Sequence, residues 1–245
     1  MRESPLSAQL SDSGWRRRLR EDHELAQRYQ TEKQRAITAA VLSRSVALGA
    51  SGVALTGSTA RKRRTAISDL DYHVIGPRPN VIDLPADVDV VATTAARFRH
   101  RLIEGDDFAQ WTLRFGCVLY DTGPMRDGMR LILETNLWPD PRRKLDSLGG
   151  HRSELERLVR IGDEDAARDQ LRAMLTTAAR GLLLRAGVFP LARDELPSQL
   201  KSAGYVGLAD ALRETIHGAP RLREITAAMT TLDRSVGALD APLPA

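Results

Sequence analysis

Two aspartates separated by one residue, Asp69 and Asp71, are the side chains of this sequence best suited to chemistry. They open the stretch 69–76, which we interpret as a β-strand, so residues two apart project from the same side. Two carboxylates on one patch of sheet repel each other unless a cation lies between them. Mg²⁺ prefers hard oxygen ligands, commonly one or two carboxylates together with water and phosphate oxygens. The pair therefore predicts a binding site for a metal-bound triphosphate.

A glycine and a serine, Gly57 and Ser58, precede this pair and follow the apolar run 53–55, the first predicted strand. Glycine lets the backbone approach an anion closely, while the amide and the serine hydroxyl donate to phosphate oxygens. Arg61 and Lys62 begin four consecutive basic residues in the loop that follows, and they would neutralise phosphate charge. We therefore predict that Gly57, Ser58, Arg61 and Lys62 bind the nucleotide.

A third carboxylate is expected on the next predicted strand, 87–92, where Asp87 and Asp89 are both candidates. Two-metal sites use such a residue to complete a clamp on the attacking and leaving oxygens of an in-line displacement. We favour Asp89, because neighbouring valines place it inside an apolar strand where an unpaired acid would be unfavourable. Asp89 would bind the second metal ion and accept the proton of the attacking hydroxyl. Asp87 is interpreted as a strand-edge residue, and the choice between them stays open.

The elements that must position these residues are predicted from hydrophobic periodicity. Apolar residues recur near the helical period from Trp15 towards Gly49, which predicts one long helix or two shorter ones. Four strands, 53–55, 69–76, 87–92 and 117–121, and a helix at 106–115 complete the catalytic part. The pattern predicts the fold class α+β, with strands flanked by helices and followed by an all-helical bundle.

The domain organisation follows from changes in this pattern. We predict a loose arm at 1–14, a domain at 15–138 that contains the candidate catalytic residues and a basic N-terminal helix, a helical domain at 139–240 and a tail at 241–245. An apolar stripe from Ala167 to Leu182 indicates a helix packed in a bundle. Further helices are predicted at 193–203, 207–216 and 222–239, with Asp194 as the N-cap of the first.

Taken together, Gly57-Ser58, the pair Asp69 and Asp71, and the distal Asp89 resemble the signature of the DNA polymerase beta-like nucleotidyltransferase superfamily. The resemblance covers roughly residues 50–122. It implies a small mixed sheet flanked by helices, two Mg²⁺ ions held by the three acids, an NTP donor with ATP expected, and pyrophosphate as product. The layout looks most like antibiotic nucleotidyltransferases and the minimal nucleotidyltransferases of toxin–antitoxin pairs. In such proteins the helical part holds the acceptor or forms a dimer interface, which leaves a homodimer open.

Composition and charge restrict the partners. The chain of 245 residues, 42% apolar and 28% charged, has the composition of an ordinary globular protein. No apolar stretch is long enough to span a bilayer, no signal-peptide segment is recognised, and the single cysteine fits a reducing compartment, so we expect a cytoplasmic protein without a membrane partner. Residues 1–64 hold 13 Lys and Arg against 6 Asp and Glu, a surplus of +7 that suits an NTP or nucleic acid.

The leading hypothesis is an Mg²⁺-dependent enzyme that transfers NMP, with AMP expected, to a hydroxyl of a small acceptor such as an aminoglycoside-like antibiotic. One alternative keeps this chemistry but places it on tRNA or on a protein. An alternative of another class is an antitoxin-like interaction module. His73 is interpreted as a packed or solvated histidine, and Trp111 and Phe115 as core residues, with base stacking as the second reading.

Overall fold

The computed structural model describes residues 10–62, 69–84 and 88–237 and shows an α+β protein. The chain divides into two compact units, residues 1–139 and 140–245. The first unit contains a four-stranded sheet with helices, and the described part of the second unit contains helices. No described helix combines the length and apolar character needed to cross a bilayer.

The first unit begins with two helices, α1 (Asp12–Tyr29) and α2 (Glu32–Ala47). The sequence pattern left one long helix or two shorter ones open, and the structure decides for two. The break lies at Gln30, which is extended, and at Thr31, whose side chain accepts from the amide of Gln34 in a capping box. Helix α1 starts inside the segment predicted as a loose arm, because Ser11 caps it by accepting from the amide of Gly14.

The remaining elements of the first unit alternate between strands and helices. In chain order they are β1 (Gly52–Leu55), the short α3 (Gly57–Ala60), β2 (Leu70–Ile75), β3 (Val88–Thr93), α4 (Ala95–Ile103), α5 (Asp107–Phe115), β4 (Cys117–Asp121) and α6 (Pro124–Thr135). The four predicted strands and the helix α5 are confirmed, with ends shifted by a residue or two. Helices α4 and α6 were not predicted.

The sheet is mixed, as predicted, with strand order β3-β2-β1-β4. Strand β1 runs antiparallel to both β2 and β4, while β2 and β3 run parallel. This order makes β3 an edge strand. Only Val90 of this strand is buried.

Each face of the sheet packs against helices. On one face Ala54, Ile75 and Val118 form a core with apolar residues of α4, α5 and α6, among them Phe98. On the other face the hydroxyl of Tyr72 lies 2.7 Å from Thr38 Oγ1 of α2. Strands β1 and β2, which carry the predicted nucleotide site, are therefore fixed from both sides.

Helix α1 covers the outer edge of β4 with polar side chains. The amide of Val118 donates to Asp22 Oδ2 at 2.8 Å, and His23 Nε2 donates to the carbonyl of Leu119 at 2.6 Å. Backbone groups at a sheet edge would otherwise remain open to pairing with another chain. The basic helix α1 therefore also covers the edge of the sheet at β4.

The helical unit contains six α-helices in its described part. They are α7 (Pro141–Asp146), α8 (Leu148–Ile161), α9 (Glu164–Arg185), α10 (Leu196–Ser202), α11 (Val206–His217) and α12 (Leu222–Gly237). The stripe from Ala167 to Leu182 lies on α9 and is buried in the core of this unit, as predicted. The prediction of Asp194 as an N-cap was wrong. A short 3₁₀ helix, Arg193–Glu195, has Ala192 at that position, and Asp194 lies inside it.

Candidate active site

The structure places Asp71 and Asp89 side by side. Asp71 is the second residue of β2, Asp89 is the second residue of β3, and the two are register partners in the parallel pair. Neighbouring strands lie about 4.8 Å apart, and register partners project from the same face. Asp71 is partly buried and Asp89 is exposed. Two carboxylates from adjacent strands therefore project from the same face at paired positions of the sheet.

The glycine of the predicted turn lies directly against the first of these acids. A Cβ atom built on Gly57 would stand 1.9 Å from Asp71 Oδ2, far inside any tolerated contact. Gly57 also has φ +67°, a left-handed conformation that side chains other than glycine rarely adopt. The carboxylate of Asp71 thus occupies space that only glycine leaves open.

The residue before the glycine fixes the backbone of Asp71. Thr56 is buried, and its amide donates to the carbonyl of Asp71 at 2.7 Å. Its hydroxyl donates to the same carbonyl oxygen at 3.2 Å and makes no capping bond to α3. Sequence reasoning did not include Thr56, although threonine directly before the glycine turn was a visible signal.

The other predicted acids are placed less tightly. Asp69 is exposed and stands immediately before β2, and Asp87 lies outside the described residues. Within 10–62, 69–84 and 88–237, no three His, Cys, Asp or Glu side chains come close enough together to hold a metal ion. The structure therefore unites Asp71 with Asp89 but does not add Asp69 to a three-acid group.

The reason given for preferring Asp89 was wrong. The neighbouring valines suggested a buried strand, yet Asp89 is exposed because β3 forms the edge of the sheet. What distinguishes Asp89 is its register opposite Asp71, which depends on strand pairing and cannot be read from local composition.

The two predicted phosphate-binding cations are each in contact with an aromatic ring. The guanidinium carbon of Arg61 lies 5.1 Å from the ring centroid of Phe115, at the end of α5. The ammonium of Lys62 lies 5.4 Å from the ring centroid of Tyr29, at the end of α1. Lys62 has φ +58°, the left-handed conformation. Ser58 lies within α3 and is partly buried.

His73 is fully buried, which agrees with a packed histidine and excludes a solvated one. Thr112 Oγ1 donates to the carbonyl of Phe108, so it accepts from Nδ1–H of His73 at 2.9 Å. The rings of Phe98 and Phe108 lie against the imidazole. Burial, and to a lesser degree the charge of Arg101, lowers the pKa of His73 to about 4, so the ring is neutral.

The two aromatic residues of α5 differ in burial. Trp111 is buried, as predicted for a core residue, whereas Phe115 is only partly buried and lies 5.7 Å from Trp111 between ring centroids. Phe115 is followed by Gly116, where an added Cβ would come within 3.2 Å of the carbonyl oxygen of Leu55. The end of α5 is therefore adjacent to Leu55 at the end of β1, and only Thr56 separates Leu55 from Gly57.

No family model and no curated protein matches the chain. Among solved structures, a nucleotidyltransferase-like protein from Exiguobacterium sibiricum 255-15 is similar over 85% of this chain and 75% of its own. The two share 15% sequence identity, and the TM-score is 0.42. We draw no argument from a likeness of this size. The interpretation of the site rests on its own geometry.

The donor set at the sheet edge fits a hard divalent cation. Asp71 and Asp89 supply two carboxylates from adjacent strands, and the exposure of Asp89 leaves room for water and phosphate oxygens. Mg²⁺ is held in many proteins by one or two carboxylates completed in this way. Cysteine, which would favour a softer metal, is present only as Cys117, which is buried and has its pKa raised to about 12 chiefly by that burial.

Proposed function

We propose that the chain is an Mg²⁺-dependent nucleotidyltransferase. It transfers a nucleoside monophosphate, with ATP as the donor, to a hydroxyl of a small-molecule acceptor such as an aminoglycoside-like antibiotic, and it releases pyrophosphate. The observation that carries the proposal is the pairing of Asp71 with Asp89 in register, with the side-chain-free Gly57 against the Asp71 carboxylate. A sheet that served only to hold a core together would need neither two acids at paired positions nor a glycine against one of them.

Each residue has a defined role in the proposed reaction. Asp71 and Asp89 would hold Mg²⁺, and the ion would stabilise charge on the phosphoryl oxygens and the leaving group. Gly57, whose missing side chain makes room for the Asp71 carboxylate, offers its backbone amide to the triphosphate, and Ser58 donates its hydroxyl to a phosphate oxygen. Arg61 and Lys62 offset the negative charge of the tail.

The bond changes follow from these positions. The acceptor hydroxyl oxygen attacks the α-phosphorus of ATP, and the bond from that phosphorus to the oxygen bridging to the β-phosphate breaks. Pyrophosphate leaves with the electron pair of the broken bond. Asp89 is exposed, so an acceptor can reach its carboxylate, which takes the hydroxyl proton as the new O–P bond forms.

The full-length protein should be incubated with ATP labelled at the α-phosphate, Mg²⁺ and a panel of aminoglycosides and lincosamides. We expect the acceptor to become labelled, with one unlabelled pyrophosphate released for each labelled acceptor formed. Asp71→Asn and Asp89→Asn should each reduce turnover by about 100-fold or more. Glu21→Gln, an exposed acid on α1, is the matched control and should leave turnover unchanged. Absence of both products with every NTP at stoichiometric enzyme would refute the proposal.

A nucleic-acid acceptor for the same chemistry is the second candidate. Arg16, Arg17 and Arg20 are all exposed on α1, which favours contact with a phosphate backbone. Transfer of the label to tRNA, with none to any small molecule, would support the nucleic-acid acceptor. The double variant Asp69→Asn/Asp71→Asn separates either enzyme from an antitoxin-like module, since a module would keep its partner binding when both acids are neutral.

A further inference from the structure

The two cations that follow the glycine turn are held in the same manner by helices that are distant in sequence. Arg61 lies over the ring of Phe115 from α5, and Lys62 lies over the ring of Tyr29 from α1. A cation within about 6 Å of a ring centroid is attracted by the negative face of the ring. The contact also restricts the rotamers of both long side chains.

The backbone at Lys62, the residue after the C-cap of α3, is left-handed. Its φ of +58° lies in the left-handed region, which favours glycine or asparagine and is unfavourable for lysine. Strained conformations of this kind persist where the surrounding structure enforces them, and they concentrate at functional sites. The ring of Tyr29 contacts the Lys62 ammonium, although Tyr29 itself is 41% exposed. Core packing therefore does not explain the position of Tyr29.

We propose that Tyr29 and Phe115 are positioning residues for the donor triphosphate, acting through Lys62 and Arg61 respectively. This inference rests on the proposed function, because it takes the ligand of both cations to be the phosphate tail of the NTP. The rings hold the two charges in place before the ligand arrives. Less side-chain freedom is then lost on binding, and affinity for the triphosphate rises.

The test is a pair of double-mutant cycles measured by calorimetric titration of the full-length protein with Mg²⁺-ATP and with inorganic tripolyphosphate. Tyr29→Leu and Phe115→Leu should each weaken binding about two- to fivefold. The ring-retaining variants Tyr29→Phe and Phe115→Tyr should bind as the wild type does. Tyr29→Leu/Lys62→Met should bind no more weakly than Lys62→Met alone, and Phe115→Leu/Arg61→Met should bind no more weakly than Arg61→Met alone, because each ring acts only through its cation.

Several results would overturn the proposal. It fails if the leucine variants bind both ligands like the wild type, or if the effects of the ring and cation substitutions add. It also fails if only binding to a single-stranded oligonucleotide weakens, because the cations would then serve a nucleic acid. Tyr29 is exposed enough to be replaced without unfolding the protein, so the Tyr29 cycle decides even if Phe115→Leu is unstable.

Failure of this inference and failure of the proposed function give different results. If the wild type transfers AMP and Asp71→Asn abolishes transfer while the leucine variants bind normally, only the positioning role is wrong. If the wild type binds neither Mg²⁺-ATP nor tripolyphosphate, both are wrong.

Discussion

At the scale of single residues, the site depends on the missing side chain of Gly57 as much as on the acids themselves. Gly57 leaves the space that the Asp71 carboxylate occupies, and Thr56 holds the backbone of Asp71 with two hydrogen bonds. The candidate carboxylates could be predicted from the sequence, because their residue type and spacing are visible there. The contacts that orient Asp71 were not, because they join residues that approach only after strand pairing.

Gly57→Ala should therefore disable the site while leaving the fold in place. The new methyl group would stand 1.9 Å from Asp71 Oδ2 and force the carboxylate away, for an expected loss in kcat/KM of about 100-fold. The left-handed backbone adds a stability cost of about 1 kcal/mol. Steady-state AMP transfer and thermal unfolding measure the two effects.

Gly49→Ala is the matched control for this substitution. Gly49 also has a left-handed φ, +83°, but a Cβ there would meet nothing within 4 Å. It should show the same loss of stability with turnover within about twofold of the wild type. Equal loss of turnover in both variants would mean that backbone strain, and not the contact with Asp71, explains the effect.

His73 gives the stability of the protein a defined pH dependence. Its pKa is lowered from 6.5 in the unfolded chain to about 4 in the folded protein, chiefly by burial. The unfolded state therefore binds the proton first, and the free energy of unfolding falls as pH decreases from 6.5 to 4. The loss should reach about 3 kcal/mol.

Urea denaturation across this pH range measures the effect, with His73→Leu as the comparison. Leucine keeps an apolar side chain beside Phe98 and Phe108 and has nothing to protonate. Thr112 still donates to the carbonyl of Phe108. The difference in unfolding free energy between wild type and variant should shrink or change sign towards pH 4. A difference independent of pH would show that His73 does not titrate in this way.

At the scale of elements, α1 protects the sheet by hydrogen bonding to the edge of β4. Asp22 accepts from the amide of Val118, and burial raises the pKa of Asp22 despite that bond. Asp22→Ala leaves a backbone amide without its acceptor and should cost about 1–3 kcal/mol of unfolding free energy. Asp22→Asn keeps an acceptor oxygen and should cost much less.

Glu21→Ala is the control for this helix. Its partner Arg17 is 3.9 Å away, and both side chains are more than 60% exposed, so the pair contributes little. Chemical denaturation followed by circular dichroism compares the variants. If Asp22→Ala and Glu21→Ala are equally mild, α1 does not stabilise the edge of β4 through this bond.

The elements also show where sequence reasoning succeeds and where it stops. Strands bounded by glycine and proline, such as β1 and β4, are recognised because the breaks are local. Helix α4 was missed because its arginines and histidine concealed an apolar side formed by Phe98 and Leu102. The parallel pairing of β2 with β3 has no local signal, and the placement of Asp89 depends on it.

At the scale of the whole molecule, charge is distributed unevenly along the chain. The surplus of +7 in residues 1–64 contrasts with the net charge of +4 for the complete sequence. Arg61 and Lys62, within this surplus, lie beside the turn next to Asp71, whereas Arg16, Arg17 and Arg20 are exposed on α1. The first group is assigned to the donor under the proposed function. The second is available to a larger polyanion.

The triple variant Arg16→Gln/Arg17→Gln/Arg20→Gln distinguishes these assignments. For a small acceptor, AMP transfer should stay within about twofold of the wild type, because long-range charge mainly changes the encounter rate and is screened at physiological salt. Binding to a single-stranded oligonucleotide should weaken, and its salt slope should fall by about one for each arginine that contacts phosphate. Loss of small-acceptor turnover in this variant, at unchanged thermal stability, would place α1 in the acceptor site and contradict the division of charge.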